Sequence, residues 1–215
     1  LYQDDYGYIY KGANPNNYIT FNNEVWRIVS VEDDETLKIV RNESLGSMAW
    51  DSTDNDWATS SLNAYLNDDY YLTLSDASNI VSHAWNIGAV TWEDTLTNQV
   101  KQERSLKYTG NIGLINMTDY IRSNTNTASC GTQSLIQSNY STCKSSTWLF
   151  RSLAYWVISP NIINSDLVFL VNGVGAINND FVNDSLSLYP ALYLTSETQI
   201  IDGVGTSSDP YQITI

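Results

Sequence analysis

The stretch NNYITFNNEVWRIVSVEDDETLKIVRN, Asn16 to Asn42, decides how the chain is read. In VWRIVSV, residues 25 to 31, Trp26 and Ile28 fall on one face and Arg27 and Val29 on the other. That period of two is the signature of a strand. TLKIVRN, residues 36 to 42, is a second strand, and the acidic turn Glu32 to Glu35 joins the two. Upstream, Asn22-Asn23 separates YITF from EVW. Asparagine tolerates positive φ, so this pair marks a tight hairpin turn. With YGYIYKG before it, alternating Tyr6, Tyr8 and Tyr10, the N-terminal third reads as β-hairpins.

The period changes after WDSTDNDW. Leu62, Tyr65 and Leu66 fall at i, i+3 and i+4, and Thr59 or Ser60 precedes them as an N-cap. A helix of two to three turns is expected there. LSDASNIVSHAW predicts a second short helix capped at Ser75, running into the extended AWNIGAVTW. Residues 93 to 110 are polar and charged, which predicts a surface excursion. GNIGLINMTDYI follows as a buried strand, Ile112 to Ile115, and a helical turn opened by Thr118 and Asp119. From Ser123 to Ser146 core residues are nearly lacking, so a long loop is expected.

The last third returns to β. LAYWVISPN, Leu153 to Asn161, places Trp156 and Ile158 on one strand face and ends at Ser159-Pro160, as a core strand does. In DLVFLVNGVGAIN, Asn172-Gly173 predicts a two-residue hairpin. LSLYPALYL is a strand restricted by Pro190, and DGVGTSSDPYQITI closes with a glycine turn and a short strand. No repeat, heptad or linker interrupts the chain, so a single α+β domain over residues 1–215 is expected.

Composition narrows the function. The 215 residues are 42% hydrophobic, enough for a core, and carry a net charge of −14. Such a surface repels phosphate backbones and anionic bilayers, which argues against nucleic-acid binding. No apolar run approaches the ~20 residues of a membrane helix. Residues 1 to 20 lack a basic start and an apolar h-region, so no signal peptide is expected within them. Four N-x-[ST] sequons begin at Asn42, Asn116, Asn139 and Asn183, as chance provides in a chain rich in Asn, Ser and Thr. Cys130 and Cys143 flank one turn-prone segment and read as a disulfide staple rather than a metal site. Closing so short a loop contributes about 3 kcal/mol in the chain-entropy account, and the staple favours an extracellular setting.

No residue set identifies a reaction. His83 stands alone without the partners of a zinc shell, and no motif marks a nucleophile beside it. Asp51, Asp54 and Asp56, with Asn55, gather hard oxygens in one loop and are candidate Ca²⁺ ligands, although the order is not that of an EF-hand. Beyond that calcium, no cofactor is expected. A carboxylate pair suited to glycoside hydrolysis is not distinguishable among 24 acidic residues. Trp50, Trp57 and Trp92 are the candidate aromatic platforms for a sugar.

The order of hairpin, helix, helix, long loop and terminal hairpin resembles the C-type-lectin-like architecture. NNYITFNNEVWRIVSV, LKIVRNESLG, SSLNAYLNDDYYLTL, AWNIGAV, GNIGLINMTDY, the Cys130 to Cys143 loop, WLF with YWVISP, LYPALYL and DGVGTSSDPYQI recur in one order. Together they resemble an uncharacterised domain of exported Gram-positive bacterial proteins, which often follows a type IV prepilin-like helix. Its usual Val-Arg-Pro is Leu188-Tyr189-Pro190 here, and the calcium-dependent sugar motifs of true C-type lectins are absent. The resemblance implies an extracellular, surface-attached or filament-associated domain and carries no activity with it. The leading expectation is a non-enzymatic, pilin-head-like domain of the bacterial cell surface that acts in adhesion or partner binding. Residues 93 to 146 would serve as the binding loops. The expected partner is a surface protein or a glycan, or further copies in a filament. A lectin-like domain is the alternative, and a glycoside hydrolase a more distant one.

Overall fold

The computed structural model describes residues 1–92 and 95–215. The first strands are β1 (Tyr2–Asp4), β2 (Gly7–Ile9), β3 (Tyr18–Phe21), β4 (Glu24–Val31), β5 (Leu37–Arg41) and β6 (Ser47–Ala49). A helix α1 (Ser61–Ala64) continues as a wider π-turn over Tyr65–Tyr70. The middle holds β7 (His83–Asn86), α2 (Leu96–Glu103), β8 (Lys107–Gly110), β9 (Ile112–Gly113), α3 (Met117–Arg122), α4 (Thr127–Cys130) and α5 (Gln133–Cys143). The last third adds β10 (Tyr155–Pro160), β11 (Leu167–Val171), β12 (Ile177–Phe181), β13 (Ser185–Ser187), β14 (Ala191–Leu194), β15 (Gln199–Asp202) and β16 (Gln212–Thr214). The chain is thus α+β, mostly sheet with short helices.

The opening hairpins fold as their pattern predicts. Asn22 and Asn23 adopt φ of 53° and 58°, closing β3 onto β4 with Phe21 opposite Glu24. β4 then pairs with β5 from Trp26 opposite Arg41 to Val31 opposite Leu37, with a bulge between Ile28 and Ser30. From Trp26 to Ser30 both faces of β4 are buried, and Asn17 and Trp148 lie against Arg27 on the side that alternation alone leaves open. Arg27 is accommodated there by donating to Asn17 Oδ1 at 2.8 and 2.5 Å and lying over the Tyr18 ring. One sheet runs β1-β2-β4-β5-β14-β9, with β3 also on β4; a second runs β12-β11-β10-β13-β6. A continuous apolar cluster joins them; every residue of β10 and β14 is buried, and Tyr155 to Ile158 and all of β14 belong to that cluster.

Four expectations are corrected. Residues 123 to 146 are largely helical, as α4 and α5, and Ile136 and both cysteines are buried. Few apolar residues suffice there because Asn126 and Thr132 cap the helices and the Cys130–Cys143 disulfide, Cα–Cα 5.6 Å, holds them together. The surface excursion contains α2 and β8, with Gln99, Val100 and Glu103 turned inward; its Glu93 and Asp94 lie outside the described residues. The helix at Ser75 shrinks to one 3₁₀ turn over Ala77–Asn79. Asn22 Oδ1 takes the Ser75 N–H and hydroxyl, and His83–Asn86 is drawn into a ladder with β8. Finally, the loop after β11 has three residues, not two. Asn172 N–H bonds the Ala176 carbonyl, and the positive φ falls on Gly175 at 89° rather than on Gly173.

The helix read at residues 60 to 70 holds. Ser60 Oγ accepts from Asn63 N–H, and Leu62, Leu66 and Tyr70 enter the core.

Candidate functional site

Two of the three predicted tryptophan platforms, Trp50 and Trp57, are enclosed. Trp50 and Trp57 are 0% exposed and pack on one another at 5.1 Å, with Trp156 at 6.2 Å from Trp50. Rings so enclosed present no face to a ligand. Trp92 is half-buried with its ring edge-on to Phe169 at 5.3 Å.

The acidic loop serves its own backbone. Asp51 Oδ2 accepts from Ser61 N–H and hydroxyl at 2.7 and 2.9 Å, and Oδ1 accepts from Thr53. Burial opposes ionisation of that carboxyl, yet the bonds from Ser61 and Thr53 hold it well below the usual range. Asp54 accepts from Asp56 N–H, and Asp56 from Ala58 N–H, each closing a turn. Among the described residues no three His, Cys, Asp or Glu side chains are grouped to hold a metal ion. The lone His83 stacks on Tyr193 at 3.8 Å and places Nε2 3.3 Å from Asp34.

What the fold brings together instead is a charged groove with a buried ionic floor. The floor starts at Lys38 in the middle of β5, whose Nζ donates to Asp119 Oδ2 at 2.6 Å. Both side chains are nearly sealed, 3% and 7% exposed. Asp119 also accepts the Asn116 N–H at 2.9 Å, so it caps α3 while holding the lysine. Burial disfavours the Lys38 ammonium, but the adjacent Asp119 more than offsets it and holds the pKa above the usual lysine value. Glu103, at the end of α2, supplies the next cap. It accepts from the Thr118 N–H and hydroxyl and from Ser159 Oγ at 2.7 Å. Burial pushes its carboxyl up to about 7, against the pull of those donors. Ser159 in turn accepts the Met117 N–H, so successive orphan donors of α3 are matched by Asp119, Ser159 and Glu103.

Above this floor opens a groove of about 540 Å³. The β4–β5 turn, Glu32 to Asp34, forms one wall, and Arg104 and Lys107 stand with it around the opening. Asn86, His83 and Tyr193 complete the lining. Arg122 lies below and donates to Asp4 at 2.9 and 3.0 Å. Four of the chain's ten basic residues, Lys38, Arg104, Lys107 and Arg122, therefore meet at this groove and floor. On a molecule of net charge −14 these four cations stand beside the carboxylates of Glu32, Asp33, Asp34 and Asp119.

Sequence reading missed this set because its members lie on β5, α2 and α3, far apart in the chain. Two local signals existed: a lysine between Leu37 and Ile39 in β5, and an aspartate three residues after Asn116. Neither signal names its partner. Scans against protein-family models, curated proteins and solved structures each returned no match.

Proposed function

We propose that the chain is a non-enzymatic, extracellular binding domain, the exposed head of a bacterial surface or filament-associated protein with a C-type-lectin-like arrangement. The observation that carries the reading is the groove between the acidic β4–β5 turn and Arg104 with Lys107. Its opposed charges suit a partner surface that itself carries both signs, as the face of a surface protein does. The closed disulfide supports an oxidising location, since such staples persist outside the reducing cytosol. The buried carboxylates favour binding over catalysis. Asp119 and Glu103 are engaged by helix-cap donors and a lysine, and they hold α3 in place rather than addressing a reactant.

The test uses the immobilised domain, with intact Gram-positive cells and purified matrix glycoproteins offered at 50 and 500 mM salt. Binding that falls steeply with salt and drops at least tenfold in Arg104→Glu/Lys107→Glu is the expected result. Binding indifferent to both salt and charge reversal, or no binding at all, would sink the proposal.

A further inference from the structure

A second depression, of about 550 Å³, is built on different chemistry. It lies between the Leu1-Tyr2 stretch and the Asn14-Pro15-Asn16 corner, with Tyr10, Tyr211 and Thr125 also in its lining. No carboxylate lines it among the described residues, although the chain carries 24. Its one charged side chain, Lys11, is drawn toward Asp4 at 3.9 Å. The cleft is therefore a nearly neutral site on a strongly acidic molecule.

Its frame is fixed. Gly12 sits at φ 101°, a conformation that side chains disfavour, and its N–H bonds the Ser123 carbonyl. Trp148 Nε1–H donates to the Tyr10 carbonyl at 3.0 Å, and the Tyr211 N–H donates to the Tyr18 carbonyl at 2.9 Å. Pro15 locks the corner, and its carbonyl accepts the Asn17 N–H. On this frame the side-chain amides of Asn14 and Asn16 are exposed and have no hydrogen-bond partner among the described residues. Each offers two donors and an acceptor. Tyr2 is 54% exposed, so a ring face is open to solvent. Tyr10 is partly buried beside Tyr211, and both effects push its phenol up to about 12.

We infer that this cleft binds a neutral saccharide, with sugar faces against the tyrosines and sugar hydroxyls on the Asn14 and Asn16 amides. Aromatic faces flanked by planar amides match a ligand that is apolar on its ring faces and hydroxylated at its edge. An anionic ligand is disfavoured by the field of the whole molecule and by the single, already engaged lysine. A purely apolar ligand would strip water from the amides without replacing their hydrogen bonds. The inference uses none of the cations of the charged groove and stands or falls apart from it.

The experiment is a glycan array carrying neutral oligosaccharides beside sialylated and uronate-bearing ones, read with and without chelator. The strongest neutral glycan is then titrated into wild type, Tyr2→Ala, Asn14→Ala/Asn16→Ala and Arg104→Glu. The expected result is chelator-insensitive binding of neutral glycans. Tyr2→Ala and the double asparagine variant should each weaken it at least tenfold, and Arg104→Glu should leave it unchanged. The substituted side chains are exposed, and matched thermal melts confirm that the variants fold. A blank array, preference for the acidic glycans, or affinity unmoved by the tyrosine and asparagine variants overturns the inference.

Discussion

The aromatic core around Trp50, Trp57 and Trp156 and the ionic floor around Lys38, Asp119 and Glu103 are both sealed from water, yet opposite physics holds them. The core is joined by area. Among the described residues the indole N–H groups of Trp50 and Trp57 have no partner, and packing holds the rings nonetheless. The floor is joined by direction, each carboxylate placed to accept from named donors. Burial of apolar surface tolerates an imperfect neighbour, whereas a buried charge does not. The difference teaches where the molecule should be robust and where it should be brittle.

The largest expected effects separate the two regions directly. Trp156→Ala empties the centre of the core and should cost about 3–5 kcal/mol, read from the shift of a urea transition. Asp119→Ala strands the Lys38 ammonium and should cost about as much, roughly 3–5 kcal/mol. The contrast appears on the second substitution: Lys38→Met with Asp119→Leu should recover more than half of that loss by removing the stranded ammonium, while the Asn116 N–H that loses its acceptor still costs about 1 kcal/mol. If the double variant is as unstable as the single one, the floor is not held by paired charge.

Glu103 gives the next effect, on pH. Its folded carboxyl sits at about 7, above the ordinary value of 4.5, so between those values the folded state holds more proton than the unfolded one. The contribution of Glu103 is therefore fully present below about pH 4.5 and is lost as pH rises through about 7, by an amount on the order of 1–3 kcal/mol. Asp51 and Asp4, held low, act in the opposite sense at more acidic pH and leave this window alone. Stability measured at pH 4.5, 6 and 7.5 in wild type and Glu103→Gln isolates the slope, which the variant should lack. An unchanged slope would mean that Glu103 does not carry it.

The smallest effect sharpens the core side. Trp57→Phe keeps an aromatic ring and removes an N–H without a protein partner, so its cost should stay below about 1.5 kcal/mol. A larger loss, seen in the same urea transition, would show that indole shape rather than buried area organises the cluster.

The same division governs what could be read in advance. Alternation exposed β4 and β5, Asn22-Asn23 exposed their entry turn, and Ser60 exposed the helix start, because each property is local to a few residues. Cys130 and Cys143 were legible as a bridge because they are the only two cysteines. The short helices α4 and α5 were not, since caps and a disulfide rather than an apolar stripe support them. Neither was the inward turn of Glu103, whose polar side chain looks solvated until Thr118 and Ser159 come to meet it.

By itself, then, the sequence determined the α+β character, the leading hairpins, the staple and an acidic surface. Periodicity, turn chemistry and charge are carried by neighbours along the chain. Tertiary structure alone decided that Trp50 and Trp57 are core, that the aspartates of the acidic loop close turns, and that Arg104 and Lys107 share a groove with the β4–β5 turn above the Lys38–Asp119 pair. Those properties depend on which distant side chains share a space, and burial, hydrogen bonding and charge pairing act only across that space.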